Sequence, residues 1–235
     1  MEKINIFWFR RDLRLHDNAG LYHALKAGLP VQPIFIFDTE ILDQLEEKKD
    51  RRVEFIYNCL KDLAKQLFNY NSSIKVYYGK PVEVFSKILT ENKIARVYIN
   101  HDYEPYALER DTAIAKLLQD HGATIQSFKD QVIFEKDEVL KGDKKPYTVF
   151  TPYSRTWKSL QADFHLKPYP TEKYFSNFNQ SDQAAIITLE AMGFETTGNP
   201  YPPASVSSDL LEHYQSQRNF PGTPGTSRLG IHLRF

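Results

Sequence analysis

The sequence predicts an α/β fold: a doubly wound, five-stranded parallel sheet, followed by a long linker and the start of an all-α domain. Three observations support this prediction. Short apolar runs occur five times before residue 130, amphipathic segments separate them, and the alternation stops after about residue 136. Strands that are buried on both faces and joined through helices are typical of parallel sheets with right-handed crossovers.

Five short apolar runs predict the strands. Each is a nearly continuous stretch of β-branched, aromatic or aliphatic residues, which favours a strand covered on both faces. These runs cover residues 4–9, 31–37, 74–78, 95–99 and 123–128. Because ligands of doubly wound sheets bind beyond the carboxyl ends of the strands, we expect the functional residues in the segments that follow these runs.

Four helices are predicted between the strands. Asp17 and Asn18 are good N-caps for a helix through residue 27, and Gly28 is suited to end it. Apolar residues at helical spacing predict helices over residues 51–70, from Pro81 onward, and over residues 104–121. The inward faces are expected to carry two groups of apolar residues: Val82, Phe85, Ile88 and Leu89, and Ala113, Ile114, Leu117 and Leu118.

The second part of the chain has a different composition. Residues 140–205 are rich in Pro, Tyr, Ser, Asn and Lys, which predicts a connecting segment on the domain surface with one short helix near residues 184–192. A helix is predicted over residues 208–217, and another beginning at Thr226 or Ser227. We therefore expect an α/β domain over residues 1–135, a connecting segment over 136–205 and the truncated start of a helical domain over 206–235.

Composition narrows the function classes. Thirty basic and thirty acidic residues balance, so overall charge gives no argument for nucleic acid, and the local basic runs are interpreted as solvated loops. No glycine-rich phosphate loop follows any predicted strand, which argues against ordinary dinucleotide or nucleoside triphosphate chemistry. The seven histidines show no metal-ligand spacing, so no metal is expected.

The expected compartment is the cytoplasm. The only cysteine, Cys59, has apolar neighbours at helical spacing and is predicted to be a buried thiol. No signal peptide is recognised, and no apolar run reaches the roughly 20 residues that cross a bilayer. We expect no membrane partner and a monomer.

Several motifs, in the expected order, resemble the photolyase/cryptochrome family. They are FWFRRDLRL from Phe7, DYEPY from Asp102, PYTVFTPY from Pro146, YQSQRNFP from Tyr214 and GTSRL from Gly225. Together they span nearly the whole chain. The resemblance implies a class I photolyase whose reduced FAD repairs cyclobutane pyrimidine dimers in damaged DNA, which makes the full-length protein a carbon–carbon lyase.

The last two of these motifs carry the expected FAD contacts. Hydroxyl groups at a helix start have a simple interpretation as N-caps, and the same geometry can bind a pyrophosphate. The resemblance implies that FAD is contacted by Tyr214, Thr226, Ser227, Arg228, Leu229 and Gly230, the last replacing the serine usual in the family. It also implies that Arg218 contacts a DNA phosphate. No catalytic residue is expected within this chain, which by itself should bind no FAD and repair nothing.

The resemblance also implies an antenna chromophore near the strand ends. Its expected ligands are Asp38, Arg52, Asp102 and Glu104, for which helix capping and surface ion pairing are the competing interpretation. Folate-binding members tend to carry an Asn-Glu pair where this chain has Tyr106-Ala107, so a deazaflavin is favoured over folate. Ala107 and Leu108 depart from the deazaflavin pattern, which leaves FMN or an empty site open.

Two other functions stay open at this point. A cryptochrome-type blue-light photoreceptor would use the same scaffold for signalling, and repair of the six-four photoproduct is a variant of the enzyme hypothesis. A freestanding nucleotide-binding or electron-transfer α/β domain would need no helical partner.

Overall fold

The computed structural model describes residues 2–233 and confirms the predicted fold class. Five parallel strands form one sheet in the order β3-β2-β1-β4-β5. The strands are β1 (Lys3–Phe9), β2 (Val31–Asp38), β3 (Lys75–Gly79), β4 (Lys93–Asn100) and β5 (Thr124–Phe128). Each lies within one or two residues of its predicted run.

Helices cover both faces of this sheet, which explains why the strands are continuously apolar. The α-helices are α1 (Ala19–Lys26), α2 (Thr39–Leu42), α3 (Arg51–Phe68), α4 (Pro81–Glu91), α5 (Pro105–Asp120), α6 (Phe150–Leu160) and α7 (Ser208–Gln217). Side chains of α1 and α3 build a first core on one face, and those of α4 and α5 build a second core on the other. In β1, Phe7 and Phe9 enter the first core while Ile6 and Trp8 enter the second.

Two apolar residues predicted to face the core lie outside it. Val82 is 39% exposed and Ala113 is exposed, whereas Val84 and Ala107 are buried. The face of each helix that contacts the sheet is therefore rotated slightly from the predicted one, and it includes Val84 in α4 and Ala107 in α5. Cys59 is half-buried, and loss of solvent there raises the pKa of its thiol to about 11.

The connecting segment contributes to the first core. Five of its buried apolar side chains belong to this core: Phe175, Phe178, Leu189, Met192 and Phe194. Asn179 N donates to the carbonyl of Val31 at 2.8 Å, so the segment is hydrogen-bonded to the start of β2. Residues 171–194 are therefore packed into the domain as well as lying across its surface.

Helix placement in this segment was predicted wrongly. Only a 3-10 turn, Glu190–Met192, lies where a helix near residues 184–192 was expected. The helix α6 was missed although Phe150, Tyr153, Trp157 and Leu160 recur at helical spacing, because the Pro- and Lys-rich composition around it predicts a surface connection; none of its side chains is buried. Pro152 is the third residue of α6, where a missing N–H costs no helical hydrogen bond.

The helix predicted to begin at Thr226 or Ser227 is also wrong within the described residues. A 3-10 turn, Leu229–Ile231, follows Arg228, whose φ of +53° is left-handed and cannot continue into a right-handed helix from Thr226. Starting a helix is costly unless packing supports it. The preceding helix α7 has the predicted bounds and is capped by Ser207.

Candidate functional site

The switch point of the sheet, where doubly wound folds bind nucleotides, is closed by the protein itself. It lies between β1 and β4, beside the N-terminus of α1. The N–H of Ala19 donates to Asp130 Oδ1 at 2.8 Å, and that of Gly20 donates to Asn100 Oδ1 at 2.8 Å. The next two N–H groups donate to the side chain and the carbonyl of Asn18. No N–H group of the first turn is left to bind a phosphate.

A buried polar cluster holds this closure in place. Asn100 Nδ2 donates to Asp12 Oδ2 at 2.5 Å and to Asn18 Oδ1 at 2.9 Å. All three side chains are at most 3% exposed. Because buried polar groups are costly unless they are hydrogen-bonded, removing any one of these side chains is expected to destabilise the other two.

A cavity opens instead at the ends of β1 and β2. It has a volume of about 230 Å³ and lies between the strand ends, α2, the first two turns of α3 and the start of α5. Its lining is largely apolar, with Phe35, Phe37, Leu42, Leu45, Val53 and Ile56 among the lining residues. We refer to it as the strand-end pocket. A cavity that combines apolar walls with polar and charged side chains at its edge suits an aromatic ligand with polar substituents.

All four predicted antenna residues line the strand-end pocket. Asp38 ends β2, Arg52 lies in the first turn of α3, and Asp102 and Glu104 follow β4. The structure therefore brings together residues that are up to 66 positions apart in sequence. Their role in binding a chromophore stays a prediction.

Each of these side chains also has a protein partner. Asp38 caps α2 through Glu40 N at 3.0 Å and accepts a hydrogen bond from the Tyr106 hydroxyl at 2.6 Å. Arg11 pairs with both Asp102 and Glu104, and Arg52 pairs with Asp50 at 2.5 Å. Capping and ion pairing are thus present in the structure, and they leave these polar groups on the wall of the pocket.

Sequence reasoning missed other residues of the same pocket. Arg110 lies 4.8 Å from the ring centre of Trp8, and Arg10 lies 5.4 Å from it, so two guanidinium groups contact one indole. Both arginines pair with Asp111. Tyr106 and Arg110 are four residues apart at the start of α5, a spacing that places them on one face and could have revealed them.

The carboxyl group of Asp38 gives a pH prediction. Burial raises its pKa above the ordinary value, against the opposing effect of the Tyr106 hydrogen bond. The folded state then binds this proton more tightly than the unfolded state, so the contribution of Asp38 to stability is present at low pH and falls as pH rises through the raised pKa. We expect the stability of the wild type relative to Asp38→Asn to decrease between pH 3 and 7.

Urea unfolding of both proteins across this pH range measures that difference. The control is Asp62→Asn, which changes an exposed carboxylate paired with Lys65 on α3. A wild-type stability that rises relative to Asp38→Asn as pH increases would contradict the prediction.

The residues predicted to contact FAD and DNA are only partly brought together. Thr226, Ser227 and Arg228 line an open cavity of about 410 Å³. Its other lining residues are Pro202, Pro203, Ser205, Val206, Ser207, Leu210 and Pro224. We refer to this as the C-terminal cavity. Tyr214, Leu229 and Gly230 are not among its lining residues. Arg218 is the C-cap of α7 and stacks on Tyr214 with 5.5 Å between its guanidinium carbon and the ring centre.

The described residues, 2–233, contain no group of three His, Cys, Asp or Glu side chains that could hold a metal ion. His101 Nδ1 lies 2.8 Å from Glu135, which also accepts from the Tyr103 hydroxyl at 2.5 Å, so this histidine is held by neighbouring side chains. Over the same residues, no helix combines the length and the apolarity needed to cross a bilayer.

Sequence comparisons point to one family. The family model for DNA photolyase matches residues 5–173. An uncharacterized 31.6 kDa protein from Synechococcus sp. PCC 6716 is 32% identical over 99% of this chain and 84% of its own length. A deoxyribodipyrimidine photo-lyase from another Synechococcus strain is 30% identical over 98% of this chain, and chicken Cryptochrome-2 is 30% identical over 83%. The chain spans 50% of that photo-lyase and 34% of that cryptochrome.

Solved structures show the same fold. A bacterial class III photolyase from Agrobacterium tumefaciens superimposes with a TM-score of 0.78 at 24% identity, covering 99% of this chain and 50% of its own. An archaeal photolyase from Sulfolobus tokodaii, solved with two FAD molecules, gives a TM-score of 0.70 at 24% identity, covering 98% of this chain and 51% of its own.

Proposed function

This chain belongs to the DNA photolyase family, and from that membership we propose that it supplies the antenna-binding part of a light-driven enzyme that repairs cyclobutane pyrimidine dimers in DNA. In this proposal, residues 1–135 form the antenna domain, residues 136–205 connect it, and residues 206–235 begin the part that binds FAD. The photo-lyase from Synechococcus, similar over 98% of this chain, supports the enzyme assignment.

The observation that carries the antenna assignment is the strand-end pocket. Asp38, Arg52, Asp102 and Glu104 were selected from the sequence as antenna ligands, and all four line one cavity. Apolar side chains line most of this cavity, which suits a planar ring, and the charged groups on its wall can bind the polar edge of such a ring. The donor set therefore fits the proposed group.

We propose a flavin or deazaflavin as the antenna. The archaeal relative in structure was solved with two FAD molecules, described there as implying a novel light-harvesting cofactor. Four arginines line the pocket, namely Arg10, Arg11, Arg52 and Arg110. Guanidinium groups suit the carbonyl and phosphate oxygens of flavins.

In the proposed reaction, the bound cofactors would supply the absorption of light and the electron for the dimer. The residues of this chain bind and orient. The wall of α2, α3 and α5 excludes water from the antenna ring, and Arg52, the most exposed of the four predicted ligands, can reorient from Asp50 toward a ligand.

The FAD and DNA contacts remain proposals. We propose that Thr226, Ser227, Arg228, Leu229 and Gly230 contact FAD together with Tyr214, and that Arg218 contacts a DNA phosphate. The supporting geometry is the C-terminal cavity, where two hydroxyl groups and a guanidinium lie together. The helix N-terminus expected to contribute N–H groups there is not formed in the described residues.

A cryptochrome-type photoreceptor is the second candidate. Chicken Cryptochrome-2 matches 83% of this chain at the same 30% identity as the photo-lyase. The native protein from its host should repair an oligonucleotide with one thymine dimer under blue light and not in darkness. Light-dependent spectral changes without repair would favour the photoreceptor.

A nucleotide-binding function at the switch point is disfavoured by the closure of the α1 N-terminus. Added NAD or ATP is therefore expected to leave the thermal unfolding temperature of the protein unchanged. A ligand that binds the native state selectively would raise it.

A matched pair of substitutions tests the strand-end pocket. Ala107 is buried and lines the pocket, whereas its neighbour Leu108 is 48% exposed. Ala107→Phe should fill the cavity and weaken binding of FMN or a deazaflavin by about tenfold or more, which corresponds to about 1.4 kcal/mol. Leu108→Phe should leave binding unchanged.

Equilibrium dialysis with each chromophore measures this binding, because it does not depend on fluorescence quenching. Circular dichroism checks that both variants fold. Equal affinities for Ala107→Phe and Leu108→Phe would remove the pocket from the proposed function.

A further inference from the structure

Opposite sides of the first two turns of α3 make different contacts. Arg52, Val53 and Ile56 line the strand-end pocket. Arg51, Glu54 and Phe55, on the other side of the same turns, contact the end of the connecting segment. One short piece of helix is therefore shared between the pocket and a distant part of the chain.

Glu54 is the centre of the second side. It is 8% exposed and accepts hydrogen bonds from Thr197 N at 3.1 Å, Thr197 Oγ1 at 2.5 Å and the Tyr201 hydroxyl at 3.1 Å. Burial alone would raise the pKa of Glu54, but these hydrogen bonds and the charge of Arg51 outweigh burial and lower it. A buried carboxylate held this way is costly to separate from its partners.

Further contacts fasten the same segment. The Tyr201 hydroxyl lies 2.9 Å from the carbonyl oxygen of Arg51, and the Arg51 guanidinium donates to the carbonyl of Pro200 at 3.0 Å. The rings of Phe55 and Tyr201 meet edge to face at 5.1 Å. We define the Glu54 clasp as Arg51, Glu54 and Phe55 of α3 with Thr197 and Tyr201 of the segment.

The clasp leads directly to the C-terminal cavity. Pro202, the residue after Tyr201, lines that cavity and accepts a hydrogen bond from His232 Nε2 at 2.8 Å. The His232 ring also lies 5.5 Å from Phe55. Helix α3 therefore lines the strand-end pocket on one side and binds Tyr201 on the other. Tyr201 directly precedes Pro202, which lines the C-terminal cavity.

We propose that Glu54, Thr197 and Tyr201 are positioning residues that fix the C-terminal cavity relative to the strand-end pocket. This inference rests on the proposed function, in which the two cavities serve two chromophores. Energy transfer between chromophores depends on their separation and orientation, so a segment that could swing would vary both. Because α3 lines the strand-end pocket and also carries Arg51, Glu54 and Phe55, the clasp attaches the C-terminal cavity to the wall of that pocket.

Amide hydrogen exchange of the whole chain tests the clasp without any ligand. In Glu54→Ala and in the milder Tyr201→Phe, we expect exchange in residues 195–203 to become about tenfold faster or more, with strand peptides unchanged. The control is Tyr57→Phe, which removes a hydroxyl from the same helix. Unchanged exchange at residues 195–203 in both clasp variants would overturn the proposal.

A second arm uses FMN as the probe. In the wild type and Tyr57→Phe, FMN should slow exchange at residues 51–56 and also at 195–203, while in Tyr201→Phe it should slow exchange only at 51–56. Slowing at 195–203 in Tyr201→Phe as well would overturn the positioning role. If FMN does not bind at all, the flavin assignment fails, and the ligand-free exchange alone decides on the clasp.

Discussion

Replacing Gly20 with alanine is expected to lower the free energy of unfolding by about 2 kcal/mol, although alanine favours a helix over glycine by about 1 kcal/mol. A β-carbon at this position would lie 2.7 Å from Asn100 Oδ1, 2.9 Å from Phe7 Cε2 and 3.2 Å from the carbonyl carbon of Ile99. These neighbours belong to buried residues of two strands. They cannot move without disturbing the core or the buried polar cluster of Asp12, Asn18 and Asn100. The steric penalty therefore exceeds the gain in helix propensity.

Urea denaturation followed by circular dichroism measures this change. Gly142→Ala is the matched control, since a β-carbon there meets nothing within 4 Å and its φ is not left-handed. The control should stay within about 0.5 kcal/mol of the wild type. A Gly20→Ala protein more stable than the wild type would show that α1 can move away from β4 at little cost.

Replacing Asn100 with leucine is expected to cost about 3–4 kcal/mol, the larger of the two effects. Leucine has a similar shape, but the substitution leaves the N–H of Gly20 without its acceptor and removes the 2.5 Å hydrogen bond to Asp12. Asp12 is 3% exposed, so its carboxylate would lose a donor where water cannot replace it.

The same urea denaturation measures the loss in free energy of unfolding, and two further variants identify its cause. Asn92→Leu removes one hydrogen bond at the partly buried end of α4 and should cost about 1 kcal/mol. Adding Asp12→Asn to Asn100→Leu should recover part of the loss, because the buried group is then uncharged. A loss of under 1 kcal/mol for Asn100→Leu would show that the cluster is not cooperative.

The strands and the helices between them could be predicted because their signals are local. Asn18 before α1 and the apolar runs of β1 and β2 each depend on residues within one turn or one strand. The same reasoning failed for α6 and near residues 184–192. In α6, Phe150, Tyr153, Trp157 and Leu160 recur at helical spacing, but none of them is buried. Near residues 184–192, Leu189 and Met192 enter the core without forming an α-helix. In both stretches the local pattern and the tertiary packing disagree.

The candidate site was predicted in part. Asp38 ends a strand, and Asp102 and Glu104 follow one. Strand ends of a parallel sheet meet at one edge, which explains why these residues line one pocket. Ile41 and Leu42 of the four-residue helix α2 could not be selected, because so short a helix shows no period. The Glu54 clasp joins residues 143 positions apart and left no sequence signal.

By itself, the sequence determined the order of the five strands and of the four longer helices through residue 128, and the family to which the chain belongs. Only the tertiary structure decided which strand-end site is open. Asp130 and Asn100 reach the first turn of α1 across 111 and 80 residues of chain and occupy its N–H groups. Hydrophobic periodicity is a property of neighbouring residues, whereas the closing of one crevice and the opening of another depend on contacts that exist only once the sheet has assembled.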